Sequence, residues 1–434
     1  MNIEPPSSLF FYCMTRLRSP AYQPPTHRGK TSGNGSLFFL GGLFLLFFLL
    51  VFRLRVDLYD LTIPLAFLSL FFLYHSQRLP LHFLSGFALL LAFSAYTYII
   101  SIAQEPTVDS HILLKQPRVL LSYASVFIIT WALLRNNPDI SINAAHKTLA
   151  AVLSLHPLIL FLQVVIPSFN EWWAASFLAT GAFNIERGRG LSPGTSAGGQ
   201  ILGFISLYYF YLSSRLDNPR YALAALLTLP LYPLSALAGL APFTIGFLYW
   251  TYSGGLRLVP FTKWAVGLLV VMAFTCFAYF IDPDNLLFQR LQQGLLRVFA
   301  GLGFYDSQVL HGDPRASQQS LLGSYSTPPL DRPGQWLFGN AQEYGPDKTF
   351  SSDAGFVRFL HVYGITGTAL AFFVIAWFVY TGKSILLFLF ALSFFVLQYK
   401  NHMLFGRISF DLFFLWWTLS ILERNAYNHR SSSH

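Results

Sequence analysis

Residues 351–380 read SSDAGFVRFLHVYGITGTALAFFVIAWFVY. A polar island, Ser351-Ser352-Asp353-Ala354-Gly355, opens into an apolar run that carries Gly364-Ile365-Thr366-Gly367. A bilayer crossing takes about 20 mostly apolar residues in a helix, and the run at 355–380 is long enough to make one. Runs of the same kind recur at 36–52, 58–74, 81–103, 118–135, 148–166, 196–213, 220–238, 240–253, 263–281, 383–398 and 404–421. Irregular backbone is kept out of lipid because its polar groups have no partner there. The expected fold is therefore all-α, a polytopic membrane helical bundle of about twelve transmembrane helices with a large external loop. Pro230, Pro233 and Pro242 interrupt the pair 220–238 and 240–253, which reads as a broken or re-entrant hairpin.

Composition agrees with this class. The 434 residues are 54% hydrophobic and 11% charged, with 45 Phe, far from the balance of an ordinary soluble domain. Cys13 and Cys276 stand alone, so neither a disulfide framework nor a cysteine metal site is expected. The net charge of +9 is spread between apolar runs, which speaks against a nucleic-acid partner. Residues 1–35 carry Arg16, Arg18, His27, Arg28 and Lys30 among Pro, Ser and Gly, the pattern of a flexible basic tail on the cytoplasmic side. An even number of crossings then returns the second tail, 423–434, to that side. Arg215, Arg220, Arg257 and Lys263 fall inside as the positive-inside rule asks, whereas Arg53 and Arg55 fall outside. The layout becomes helices one to nine over 36–281, a large loop over 282–354, and helices ten to twelve over 355–422.

Three external segments hold most of the remaining polarity. Segment 167–195 contains Trp172, Trp173 and Glu186-Arg187-Gly188-Arg189-Gly190-Leu191-Ser192-Pro193. Loop 282–354 begins with leucines at helical spacing over 285–299, the mark of an amphipathic helix at the interface. The third is the turn Gln398-Tyr399-Lys400-Asn401-His402. Arg187 and Arg189 sit in a Gly-rich loop before a helix start, where guanidinium forks and free backbone N–H groups suit diphosphate oxygens; lipid phosphate is the plainer partner. Arg315 is a second cationic candidate, or a loop residue paired with Asp313. Asp353 suits the N-cap of the next helix and equally a general base toward a sugar hydroxyl. His361 reads as an interior hydrogen-bonded histidine or a substrate contact. Gly364 and Gly367 read as close-packing positions. Lys400 suits phosphate contact or snorkelling to the interface. Asp282-Pro283-Asp284 reads as a turn capping the following helix rather than a metal pair.

Three local patterns make the chain resemble the O-antigen polymerase and O-antigen ligase superfamily of bacterial envelopes. Arg189-Gly190-Leu191-Ser192-Pro193-Gly194-Thr195-Ser196 resembles the family's external arginine loop, with its Glu-Pro pair missing. Arg315 matches a second essential arginine in the large loop. Asp353-Ala354, nine residues and Gly364-Ile365-Thr366-Gly367 resemble the ligase pattern, with aspartate in place of histidine, a departure that favours polymerase. The resemblance implies a metal-independent, inverting glycosyl transfer with no cofactor, at the periplasmic face of the inner membrane. Its donor would be an undecaprenyl-diphosphate-linked oligosaccharide in membrane lipid, and a chain-length regulator protein is a further partner it admits. Arg189 and Arg315 would clamp the diphosphate and Asp353 would serve the acceptor hydroxyl. Arg187, His361, Lys400, Trp172 and Trp173 would line the substrate. A ligase acting on lipid A–core or protein, and a transporter, are the alternatives; few ionisable residues inside the spans count against the last.

Overall fold

The computed structural model describes residues 33–52, 55–56, 59–76, 79–103, 110–136, 142–177, 189–192, 195–232, 234–254, 333–340, 355–398 and 407–431. Helices dominate these residues: α1 (Gly33–Phe52), α2 (Thr62–Ser76), α3 (Leu81–Ala103), α4 (Ser110–Asn136), α5 (Ile142–Leu153), α6 (Leu155–Val165) and α7 (Pro167–Phe177) lead the chain. After them come α8 (Thr195–Leu216), α9 (Pro219–Leu226), α10 (Leu240–Tyr252), α11 (Pro333–Phe338), α12 (Gly355–Gly382), α13 (Ile385–Gln398) and α14 (Arg407–Ser431). The two-residue strands β1 (Arg55–Val56) and β2 (Tyr59–Asp60) pair antiparallel in the turn between α1 and α2.

Among the described residues, four helices are long and apolar enough to cross a membrane: Leu81–Ala103, Leu114–Arg135, Ile142–Val165 (α5 and α6 in sequence) and Gly355–Gly382. Phe39–Phe52, Thr62–Tyr74 and Ile385–Gln398 are apolar but shorter. α8 and α14 are long and lie among the expected spans, yet they fall outside the apolar set. The expected span at 220–238 is not one helix. α9 stops at Leu226, and 3₁₀ turns at 229–231 and 237–239 lead into α10, as the prolines there suggest. The span expected at 263–281, the interfacial helix at 285–299 and most of the large loop lie outside the described residues.

Aromatic rings fill the core. Tyr123 of α4 stacks on Phe83 at 5.4 Å and meets Phe414 at 5.1 Å and Trp417 at 5.8 Å, joining α3, α4 and α14. Phe378 of α12 reaches the same Trp417 at 4.9 Å. A second group packs α8 on α13 and α14: Phe204 stacks on Phe390 at 4.1 Å, and Phe390 and Tyr208 both meet Trp416. Offset and edge-on ring pairs add about 0.5–1.5 kcal/mol each beyond area burial, which is how a Phe-rich chain packs where apolar burial against lipid gains little. Outward, Phe67, Phe71, Leu84, Ile99, Phe373 and Phe395 are exposed, an apolar surface fit for lipid.

Contacts define two ends. At one, Arg215 closes α8 by donating to His146 Nε2 (2.8 Å), Tyr211 (3.2 Å), Glu423 (3.0 Å) and Asn143 (3.3 Å), tying α5, α8 and α14 together. Arginine can only donate, so His146 Nε2 is unprotonated. Nδ1 then carries the proton to Tyr208 Oη at 2.7 Å, and that hydroxyl donates to the His146 carbonyl. Exposed Tyr74, Tyr252 and Tyr380 close α2, α10 and α12 near this level, an aromatic belt of the kind found at a membrane surface. The 22 residues of α8 span about 33 Å at 1.5 Å each, close to a hydrocarbon thickness of about 30 Å. Arg215→Met should strip four acceptors of their donor and cost about 1–3 kcal/mol, read as a lower midpoint in thermal unfolding of the detergent-solubilised protein. An unchanged midpoint would make the network ornamental.

Candidate functional site

At the far end of α8 from Arg215, residues 189–192 turn tightly and are buried, Arg189 being 6% exposed. The turn is held through its backbone by two polar side chains from α6. Gln163 Oε1 accepts from the N–H groups of Arg189 and Gly190, both at 2.8 Å, while its Nε2 donates to the Gly190 carbonyl at 3.2 Å. His156 Nδ1 accepts from Leu191 N–H at 3.1 Å, so its proton sits on Nε2 and is donated to the Gly198 carbonyl at 3.0 Å. One histidine thus ties the turn to the first turns of α8. Gly190 has φ +61 and lies against the His156 ring, where a Cβ would collide. Burial lowers the Arg189 pKa from the usual arginine value by desolvation. An anion brought to this guanidinium would offset that cost.

A second polar centre forms where α12 breaks. Gly364 leaves the helical region (φ 62, ψ −173) two turns into the helix, and α11 with Gly339–Asn340 seats against the break. The loosened carbonyls are taken up: Asn340 N–H donates to His361 O at 2.8 Å, and Tyr96 Oη of α3 donates to Tyr363 O at 2.8 Å. Tyr96 also reaches Phe338 O at 3.3 Å, clamping both sides of the joint. His361 is buried here, its Nδ1 facing the Asn340 amide at 3.5 Å. The Gly364/Gly367 pair therefore serves close packing, Gly367 receiving the Tyr96 ring. From α4, Gln116 Nε2 donates to Tyr363 Oη at 3.4 Å, and its buried Oε1 has no partner among the described residues.

Trp172 and Trp173 lie on α7, rings 6.1 Å apart, and both pack against Phe169. Trp172 is exposed and Trp173 buried. Asp353, Arg315, Arg187 and Lys400 lie outside the described residues. Of the candidate residues, the structure describes Arg189, His361, Trp172 and Trp173, and it gives no direct contact between Arg189 and His361. Gly355, which follows Asp353 by two positions, opens α12, and its carbonyl accepts from Gln398 Nε2 of α13 at 2.8 Å. Among the described residues, no group of three or more His, Cys, Asp or Glu could hold a metal ion.

Several participants escape a reading of local motifs. His156 and Gln163 stand seven residues apart in an apolar helical stretch, a spacing that puts both on one face and was the available signal. Asp411 lies 2% exposed inside α14, hydrogen-bonded to Ser122 of α4. Tyr96 and Asn340 have no signal in the sequence, since their partners lie more than twenty residues away. No protein-family model, curated protein or solved structure matches the chain.

Proposed function

We propose that the protein is a membrane glycosyltransferase that polymerises lipid-linked oligosaccharide repeat units of a surface polysaccharide. The growing glycan leaves undecaprenyl diphosphate with inversion as one hydroxyl of the incoming repeat unit attacks. The reaction takes place at the periplasmic face of the bacterial inner membrane. The observation that carries this reading is the buried Arg189, held on a backbone-anchored turn at the head of α8. A fixed, desolvated cation at a helix start suits the departing diphosphate, with electrostatics and positioning supplying most of the acceleration. Arg315 completes the clamp. Asp353, next to the Gly355 start of α12, receives the acceptor proton. Trp172 stacks on a sugar face.

The test is incubation of the purified protein with a lipid-linked repeat unit, followed by gel analysis of chain length. A ladder supports polymerisation. A single transfer onto lipid A–core or protein supports the ligase, and unreacted lipid-linked units overturn both. Asp353→Asn separates the two roles of that residue. Asparagine caps a helix as well as aspartate, so stability should hold while chain growth drops by about 10²–10⁴-fold, the usual contribution of general base catalysis. Full activity would leave Asp353 a cap.

Transport keeps two observations in its favour: α12 is broken at Gly364 and Asp411 is buried in α14, features found together in carriers. Uptake of an intact lipid-linked glycan into proteoliposomes, with no change in its length, would support that reading instead.

A further inference from the structure

A buried amide on α8 points to a ligand contact that no sequence motif marks. Gln200 is 1% exposed and its Nε2 has no hydrogen-bond partner among the described residues. An unpaired amide donor enclosed in an apolar bundle is costly. Its direction follows from helix register. Gln200 lies one turn before Phe204 on the same face of α8, and Phe204 meets Phe394 of α13 at 5.3 Å. Gln398 lies one turn beyond Phe394, and the two helices run antiparallel, with Phe390 also stacked on Phe204. The register therefore carries Gln200 to the level of Gln398, beside the Gly355 carbonyl that opens α12. The Arg189 turn covers α8 from another side, against Gly198. The first turns of α8 thus stand between the arginine turn and the start of α12.

We infer that Gln200 is a substrate-contacting residue whose amide donates to a phosphate oxygen of the ligand bound at this end of the bundle. The hydrogen-bond character selects the ligand class. The Gln200 amide is a donor, as the Arg189 guanidinium is, and the acceptor-only oxygens of a phosphate group satisfy such donors. A prenyl diphosphate and a phospholipid headgroup share that chemistry. The inference rests on the outer-end site of the proposed function, and deepens it by adding a neutral donor to the arginine clamp.

Gln200→Met is the test, because methionine fills the same volume without a polar atom and removes the buried unpaired donor. The variant should fold with an unchanged or higher thermal midpoint. Thermal-shift titration with undecaprenyl diphosphate should then show affinity reduced by about tenfold to a hundredfold, the value of a hydrogen bond to a charged group. Gln200→Glu, with a carboxylate in place of the amide, should lose more. A matched titration with phosphatidylglycerol separates the sources: a loss confined to the diphosphate identifies the lipid-linked donor, and an equal loss for both identifies a general phosphate contact. Undiminished affinity in both variants would overturn the inference. Binding that depends on Gln200 without any chain growth would sink the polymerase reading and leave the contact standing.

Discussion

Arg189→Ala should abolish chain growth, by about a thousandfold or more, while the protein still inserts and accumulates. The separation of these outcomes follows from how the turn is built. Gln163 and His156 hold it by the N–H groups of Arg189, Gly190 and Leu191 and by the Gly190 carbonyl. None of these bonds uses the guanidinium, so alanine keeps each of them. The lost group is a buried cation whose burial costs desolvation. What it removes is the electrostatic partner of a departing diphosphate. A single transition-state donor is worth about 10²–10³ in rate, and a charged bidentate fork more than a neutral one. Arg189→Lys keeps charge but loses the planar fork, and should retain a small part of the activity, about one to ten per cent. The readouts are polymer length on a gel and the thermal midpoint of each variant. Normal-length polymer from Arg189→Ala would end the clamp model, and so would a collapse in midpoint that explained the loss by misfolding.

Much of the frame of this molecule is legible in its residues, and the reason is local. Runs such as 81–103 and 355–380 need only length and apolarity to become helices, and both do. Pro230 falls in the 3₁₀ turn that follows the end of α9, so the break between α9 and α10 could be expected. The apolar run at 355–380 marks this helix, but not the reason for the conformation of Gly364. Gly364 takes its conformation from α11, which comes from a distant loop, and from Tyr96 of α3. The same limit hides Asp411, whose partner Ser122 lies across the bundle on α4. Local periodicity says which face of a helix is buried; it does not say which helix it will meet. Arg189 shows the boundary within one residue. Its place before a helix is a sequence fact, whereas its rigidity comes from two polar residues of α6.

Gly364→Val should be the most destabilising single change at the break in α12, costing about 3 kcal/mol or more. Two independent terms add. A φ of 62 with ψ near 180° is open almost only to glycine, and a β-branched residue forced into it costs about 1–3 kcal/mol in strain. A Cβ at this position would also press into the backbone of Gly339 and Leu337. That neighbour is main chain, not a flexible side chain, so relief requires α11 to leave. Its departure strands the His361 carbonyl without Asn340 and removes Phe338 from the Tyr96 clamp. If the helix instead straightened to accept valine, the Tyr96 bond to Tyr363 O would be lost, because that carbonyl would turn into the helix ladder. Both routes lower the thermal midpoint, and limited proteolysis distinguishes them: cleavage within 333–340 marks undocking of α11, while protection of that segment marks straightening of α12. Tyr96→Phe tests the clamp alone and should cost about 1 kcal/mol, the net value of one hydrogen bond. A valine variant as stable as the parent, with 333–340 still protected, would mean that the break is tolerated and does no structural work. The broken helix would then lose its standing as the joint between the large loop and the membrane bundle, whichever reaction that bundle serves.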